Sequence, residues 1–404
     1  MSAARTARTV RTLRTARTVR TLLAAGLVAG ITATALAAPA VAAAPPEPAR
    51  TSHAATQQAL DAAVAQGVPG AVAQARDGRD RWTGTAGERG GDDRFRVGSI
   101  TKTFTATVLL QLQAEGRIDL DDKVEKWLPG VVRGHGHDGR AITVRQLLNH
   151  TSGIYGYTED PGFQAKVFGP DFLQHRYDTW TPRQLVAVAM NHEPDFAPGT
   201  SWNYSNTNFV LAGMVIEKVT GRPYGQAVEH RIIKPLKLRA TSVPGTKSRM
   251  PRPHSPAYSK LSLDATTGPT YDVTELNPSI ASAAGEMISD ANDLQTFYRA
   301  LLKGRLLPKA EMKEMTDTVA MSPEAGAPRY GLGLMEIGLS CGKEIWGHSG
   351  GIHGSSSQAV ATRDGEHSLA ANFNADWTGD TQALLEAEFC GTVPSASPSA
   401  SPEK

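Results

Sequence analysis

The chain has 404 residues, of which 40% are hydrophobic and 20% charged, as is typical of a globular protein with a sizeable core. Its formal charge is +2, but the first 42 residues hold six arginines and no acidic residue, so the remainder carries 36 basic and 40 acidic residues. A net charge of −4 beyond that segment argues against a protein that binds DNA or RNA.

The first 42 residues have the pattern of a secretory signal. The arginines precede an apolar stretch over residues 22–38, and the small-residue cleavage pattern Ala40-Val41-Ala42 follows it. We therefore expect residues 1–42 to be removed and the mature protein to be secreted, monomeric and free of the membrane. The alternative is an uncleaved membrane anchor, which the short, threonine-interrupted stretch disfavours.

Composition divides the rest of the chain into three parts. Residues 43–54 are rich in alanine and proline and are predicted to be a flexible lead-in. Residues 393–404 are rich in proline, serine and alanine and are predicted to be a disordered tail. Residues 55–392 remain as one predicted domain.

The first part of this domain alternates between helical and strand patterns. A helix is predicted over residues 56–66, then two strands over 70–76 and 81–86, and a short third strand over 95–97. Ser99 then opens an apolar helix that reaches about residue 115, where Gly116 ends it.

The middle of the chain is predicted to be helical and its end to be a sheet. The helical patterns cover residues 144–148, 182–189, 208–219 and 290–302. The strand patterns cover residues 331–337, 344–346, 356–361 and 368–372, and a last helix covers 381–389. Strands at both ends around a helical middle predict an α+β fold: one sheet built from the two termini, with a mostly helical insertion.

The strongest chemical signal is Ser99-Ile100-Thr101-Lys102. Residues i and i+3 of a helix share a face, so the lysine amine lies beside the serine hydroxyl. Burial and the positive helix N-terminus lower the pKa of such a lysine, which makes it a base that activates the serine as a nucleophile. Two further Ser-x-x-Lys matches, ending at Lys343 and Lys404, lie before a strand and in the tail, where this geometry is not expected.

Two other motifs complete a candidate site. Tyr204-Ser205-Asn206 offers a phenol as a second acid or base and an amide that orients lysine and substrate. Taken alone, this motif is more typical of a loop before a helix that Asn206 caps. His348-Ser349-Gly350 follows a strand whose edge can bind substrate backbone. An oxyanion hole would use the backbone N–H groups of Ser99 and Gly351. His137-Asp138-Gly139 is a rival match to the third motif.

Ser-x-x-Lys, Tyr-x-Asn and His-x-Gly in this order resemble the serine D-alanyl-D-alanine carboxypeptidases and class C β-lactamases, which are penicillin-recognising serine hydrolases. The resemblance covers about residues 55–392 and is strongest around Ser99, around the stretch 142–153 and around Tyr330-Gly331-Leu332-Gly333-Leu334. It implies a β-lactamase-like fold and an acyl-enzyme on Ser99 that needs no metal or cofactor. It also implies peptidoglycan-type D-Ala-D-Ala peptides or β-lactams as partners.

The two cysteines, Cys341 and Cys390, are predicted to form a disulfide because an exported protein meets oxidising conditions. The similar secreted carboxypeptidases have a cysteine pair like this one. The alternative is a pair of unrelated buried thiols.

Three other readings of the sequence are weaker. The segment Gly347-His348-Ser349-Gly350-Gly351 matches the nucleophile elbow of α/β-hydrolases, but no helix pattern and no suitable later histidine follows it. His135 and His137 could bind a metal, but a solvated glycine-rich loop is favoured. A catalytically silent ligand-binding protein with the same fold is disfavoured by the intact Ser99, Lys102 and Tyr204.

The chain departs from the similar carboxypeptidases where they bind the substrate's terminal carboxylate. Those enzymes use an arginine on the strand that leads to the first cysteine, and Met335 stands at that place here. Gly351 also follows the third motif, so Ser349 alone offers a hydroxyl there. This indicates D-amino-acid amides or esters as better substrates than free acids, unless Lys343 or Arg329 reaches the same spot.

Overall fold

A computed structural model describes residues 52–324 and 326–392 of the protein. The predicted signal, most of the predicted lead-in and the predicted tail lie outside these residues. The strands are Gly70–Asp77 (β1), Asp80–Gly87 (β2), Phe95–Arg96 (β3), Arg133–Gly134 (β4), His137–Asp138 (β5), Tyr258–Ser259 (β6), Tyr271–Asp272 (β7), Ile288–Ser289 (β8), Val319–Ala320 (β9), Arg329–Tyr330 (β10), Met335–Gly338 (β11), Glu344–Ile352 (β12), Ser355–Thr362 (β13) and His367–Phe373 (β14).

Eight of these strands form one antiparallel sheet in the order β2-β1-β14-β13-β12-β11-β10-β9. The N-terminal hairpin joins the C-terminal strands where β1 pairs with β14, with Val72 opposite Asn372. The predicted sheet from both termini is therefore confirmed, and the fold is α+β. The tight turn between β1 and β2 lies one residue later than the sequence indicates, because Asp77 pairs with Asp80.

The described residues form thirteen α-helices, and all but the first and the last lie between the two halves of the sheet in sequence. They are Ala54–Ala65 (α1), Thr101–Ala114 (α2), Val124–Trp127 (α3), Val144–Leu148 (α4), Pro161–Val167 (α5), Phe172–His175 (α6), Pro182–Ala189 (α7), Asn206–Thr220 (α8), Tyr224–Val228 (α9), Lys234–Leu236 (α10), Ala291–Leu302 (α11), Lys309–Met315 (α12) and Thr381–Cys390 (α13). No helix in the described part of the chain is long and apolar enough to cross a membrane.

The sheet buries a different apolar cluster on each face. On one face α1 and α13 contribute residues such as Leu60 and Leu385, which pack against Ile345 and Leu369 of the strands. The cluster on the other face includes residues of α2, α8 and α11 and continues into the helical insertion. This second cluster lies under α2 and so fixes the helix that carries Lys102.

The predicted strand over residues 331–337 is interrupted in the structure. Only Met335–Gly338 belongs to β11, and residues 331–334 turn away to pack on α2. Gly333 has a φ of +66°, and a Cβ there would lie 2.7 Å from that of Ala106. The sequence prediction missed this turn because alternating glycine and leucine imitates the period of a strand.

The loop around His135 and His137 also differs from its prediction. Residues Arg133–Gly134 and His137–Asp138 pair as a two-stranded hairpin. His135 is exposed as expected, but His137 is buried, and burial lowers the pKa of its imidazole. The prediction of a solvated loop is therefore wrong for His137.

The two terminal helices are held together by polar and covalent contacts. Glu388 of α13 is buried and accepts a hydrogen bond from the hydroxyl of Thr56 at 2.7 Å, and its carboxylate also contacts His53 and His367. A disulfide joins Cys341 to Cys390 across 49 residues, with the Cα atoms 5.8 Å apart. It ties the turn before β12 to the end of α13.

Replacing both cysteines by serine should lower the free energy of unfolding by about 4 kcal/mol, because the unfolded chain would gain the freedom of the open loop. Urea unfolding of the oxidised protein and the double variant measures this difference. The reduced wild-type protein is the control and should match the variant. An unchanged urea midpoint would contradict the prediction.

Candidate active site

Ser99 lies between β3 and α2, in a short 3-10 turn over Gly98–Ile100. The sequence places it at the start of a helix, and the structure adds this tighter turn before α2 begins. Gly98 has a φ of +52°, and a Cβ at this position would lie 2.7 Å from the backbone nitrogen of Gly351. A glycine is therefore required where β12 passes the nucleophile turn.

Lys102 is fully buried in the first turn of α2 and makes three polar contacts. Its Nζ lies 2.9 Å from Oγ of Ser99, 2.7 Å from Oδ1 of Asn206 and 2.8 Å from the carbonyl oxygen of Ala284. No carboxylate in the described part of the chain lies within ion-pair distance of it. The predicted serine–lysine pair is thus brought together in the structure.

Burial without a counter-charge lowers the pKa of Lys102 well below its usual value. The oxygens of Asn206 and Ala284 can only accept hydrogen bonds, so each takes one N–H of the amine. In a neutral amine the lone pair is then left for the hydroxyl of Ser99. This arrangement orients the lysine as a base toward the serine.

Tyr204 lies next to both Lys102 and Ser99. Its ring centroid is 4.7 Å from Nζ of Lys102, and its hydroxyl is within hydrogen-bonding contact of the Ser99 side chain. Burial raises the pKa of Tyr204, while the contact with Ser99 opposes that rise. The phenol therefore stays protonated at neutral pH, where it can donate a proton to a departing group.

Asn206 is the first residue of α8 rather than its cap, since the helix begins two residues earlier than predicted. Its Oδ1 faces Lys102, and its Nδ2 donates to Oγ1 of Thr158 at 3.1 Å. These two bonds fix the orientation of the amide. The predicted role of Asn206 in orienting the lysine agrees with this geometry.

His348 lies beneath the site and is 1% exposed. Burial and the neighbouring Lys102 lower the pKa of its imidazole to about 3, so it is neutral at physiological pH. The carbonyl of Ser349 lies 2.6 Å from Nδ1, which makes Nδ1 the donor, and Nε2 lies 2.8 Å from the hydroxyl of Tyr330. Both ring nitrogens of His348 are engaged by other groups of the protein. The predicted contact of His348 with a substrate stays a prediction.

The edge of β12 next to the serine is open on one side. The strand β11 pairs with β12 only as far as Met335 opposite Gly347, whereas β13 pairs with β12 from Ile345 to Ile352. Ser349 is partly exposed and Gly351 exposed beyond that point. The predicted oxyanion hole of Ser99 and Gly351 N–H groups is compatible with the close approach of Gly351 to Gly98.

Three polar groups at the site were not predicted from the sequence. They are the carbonyl of Ala284, the hydroxyl of Thr158 and the hydroxyl of Tyr330. Tyr330 is the first residue of the motif Tyr330-Gly331-Leu332-Gly333-Leu334, and this position was the only sign in the sequence that it lies near the site. A backbone carbonyl such as that of Ala284 has no sequence signal at all.

The family model described as "Beta-lactamase" matches residues 54–388. The chain belongs to the beta-lactamase family. This family of serine hydrolases includes the penicillin-binding proteins that the sequence motifs indicated.

Members of the beta-lactamase family with solved structures align over most of the chain. A D-stereospecific amidohydrolase from Streptomyces sp. is 81% identical, with a TM-score of 0.83 over 84% of this chain and 99% of that chain. A D-amino acid amidase from Ochrobactrum anthropi SV3, complexed with L-phenylalanine amide, is 31% identical, with a TM-score of 0.68 over 80% and 90% of the two chains.

Curated members of the beta-lactamase family are more distant. Penicillin-binding protein 4* of Bacillus subtilis is 27% identical over 72% of this chain and 63% of its own length. Penicillin-binding protein 4 of Amycolatopsis lactamdurans is 29% identical over 54% and 53%. The chain thus spans about half to two-thirds of the length of these relatives.

The Lys102→Arg variant tests the lysine as the base. Arginine stays protonated and so cannot accept the serine proton, and acylation by a β-lactam should therefore fall by at least about a hundredfold at neutral pH. Mass spectrometry of the intact protein measures the adduct over time, and circular dichroism checks that the variant is folded. Ser99→Ala is the control without a nucleophile, and Ser349→Ala should still be labelled. Near-normal acylation of a folded Lys102→Arg variant would remove the lysine from proton transfer.

Proposed function

We propose that the protein hydrolyses amides of D-amino acids and D-amino-acid peptides through an acyl-enzyme on Ser99. The observation that carries this proposal is the uncharged strand edge beside the serine. Met335 lies opposite Gly347, on the same face of the sheet as Ser349, and its side chain packs against apolar residues. A carboxypeptidase needs a cation at this place for the terminal carboxylate, and an amidase does not.

The two alternative cations are engaged elsewhere. Lys343 precedes β12, six residues from Ser349 and therefore about 20 Å away along the strand, and its Nζ donates to the carbonyl of Phe389 at 2.6 Å. Arg329 donates to the backbone carbonyl of Thr318 at 2.7 Å. These contacts support a substrate whose leaving group has no negative charge.

The proposed reaction proceeds in two steps. Lys102 takes the proton of Ser99 as Oγ attacks the amide carbon, and the oxyanion is held by the N–H groups of Ser99 and Gly351. The C–N bond breaks as Tyr204, or Lys102 acting through it, protonates the leaving nitrogen, which departs as ammonia or an amine. Water then attacks the ester carbon and gives a proton to Lys102. The bond between the acyl carbon and Oγ breaks as this proton passes to Oγ, which releases the acid product and restores Ser99.

The comparisons support this proposal over the carboxypeptidase reading that the sequence motifs favoured first. Two similar solved structures bear the names of a D-stereospecific amidohydrolase and a D-amino acid amidase. The penicillin-binding relatives keep reaction with β-lactams within the proposal. The disulfide between Cys341 and Cys390 supports the further proposal that the protein works outside the cytoplasm.

A matched pair of substrates tests the leaving group. An acyl-D-Ala-D-Ala peptide and its C-terminal amide differ only in the terminal carboxylate. We expect kcat/KM to be about ten- to a hundredfold higher for the amide, because the carboxylate must lose water at an edge that offers no cation in return. D- and L-phenylalanine amides test the stereochemistry, with the D form preferred. A strong preference for the free acid would restore the carboxypeptidase reading, and labelling of Ser99 without turnover would favour a binding protein.

The Met335→Arg variant tests the origin of this preference. The arginine stem can lie along the apolar surface while its guanidinium reaches toward Ser349, so kcat/KM for the free acid should rise about ten- to a hundredfold relative to the amide. Met335→Leu keeps the volume without the charge and is the matched control. Equal effects of both variants, or equal gains for acid and amide, would contradict the role of Met335.

A further inference from the structure

A buried arginine on β3 makes no ion pair among the described residues, although Glu275 is near enough to act on it electrostatically. Arg96 is 4% exposed, and its Nη2 donates to the carbonyl oxygens of Ser248 at 2.8 Å, Thr274 at 3.4 Å and Leu276 at 3.1 Å. Within residues 52–324 and 326–392, its Nε and Nη1 have no hydrogen-bond partner, and no carboxylate lies within ion-pair distance.

A second buried arginine lies near the first. Arg89 is 7% exposed, its Nη2 donates to Oδ1 of Asn372, and its Nε has no partner among the described residues. Its Nη1 is 3.6 Å from Oδ2 of Asp93, which also accepts hydrogen bonds from Ser255 and from the backbone N–H of Gly90. Asp93 thus pairs with Arg89 and makes no ion pair with Arg96.

A small cavity lies between these side chains. Its lining includes Arg89, Arg94, Arg96, Ser255, Thr274 and Ser355, and no aspartate or glutamate among the described residues contributes to it. Its volume of about 10 Å³ leaves room for a single small particle, such as one water molecule or one small ion. The cavity is therefore small, cationic and lined by unused N–H donors.

Both guanidinium groups are charged in neutral solution. Burial lowers the pKa of Arg89 and of Arg96 to about 10, which is still well above neutrality. Asp93 is the counter-charge of Arg89, whereas the polar groups in direct contact with Arg96 are neutral carbonyl oxygens, which compensate only part of the cost of burying its charge. A water molecule would satisfy the free N–H groups but would leave the charge in place.

We propose that this cavity binds a small monovalent anion of the size of chloride, held by the N–H groups of Arg89 and Arg96. The size of the cavity excludes sulfate and phosphate. The site is separate from the catalytic groups, but Arg96 lies three residues before Ser99, and its carbonyl oxygen accepts a hydrogen bond from Oγ of Ser355 at 2.7 Å. The bound anion therefore stabilises the attachment of β3 to β13, next to the nucleophile turn.

Thermal unfolding at constant ionic strength tests this proposal with the protein as it exists. Replacing gluconate by chloride should raise the unfolding temperature by about 2 °C for each tenfold increase in chloride once the site is saturated. Bromide should act like chloride, whereas sulfate should show no such saturable effect. Equal unfolding temperatures in chloride and gluconate would overturn the proposal.

Arg96→Gln should abolish the response to chloride, and Arg89→Gln should weaken it. Arg183→Gln removes the same charge from an exposed position and should leave the response unchanged. Crystals of the wild-type protein grown in bromide provide a readout that does not depend on the variants folding. Anomalous density between Arg89 and Arg96 is expected, and density for water alone would show that the cavity holds no anion.

Discussion

The burial of one amine without a carboxylate partner is the constraint on which the rest of the site depends. The three contacts of Lys102 come from three separate parts of the chain: the nucleophile turn, the start of α8 and the segment that contains Ala284. Thr105 donates to the carbonyl of Ala283 at 3.0 Å, and Thr101 accepts a hydrogen bond from the backbone N–H of Met287 at 3.2 Å. These threonines hold the segment that contains Ala284 in place. The packing of the insertion around α2 therefore keeps the amine of Lys102 away from water.

The third motif contributes to the same electrostatic design. His348 is neutral, and its donor and acceptor are engaged by Ser349 and Tyr330, so it adds no charge around the nucleophile. His150 is also buried, and burial, with help from Lys102, lowers the pKa of its imidazole well below the usual value. The amine of Lys102 is therefore surrounded by neutral rings. An uncharged edge of β12 continues this pattern outward to where the substrate's leaving group would lie.

The fold was largely predictable because its signals are local. Capping boxes begin α4 at Thr143 and α7 at Thr181, and both helices have the predicted bounds. The serine and lysine share a helix face, so their contact also followed from the sequence. The turn at Gly333, the burial of His137 and the carbonyl of Ala284 depend on what other parts of the chain pack against them, and one-dimensional patterns carry no record of such contacts.

The pairing of β1 with β14 has a consequence for how the protein is made. These strands lie about 300 residues apart in sequence and are neighbours inside the sheet, so the N-terminal hairpin has no partner on that side until the last strand is available. During synthesis the sheet therefore cannot close until β14 has been made, and the hairpin of β1 and β2 keeps one unpaired edge until then.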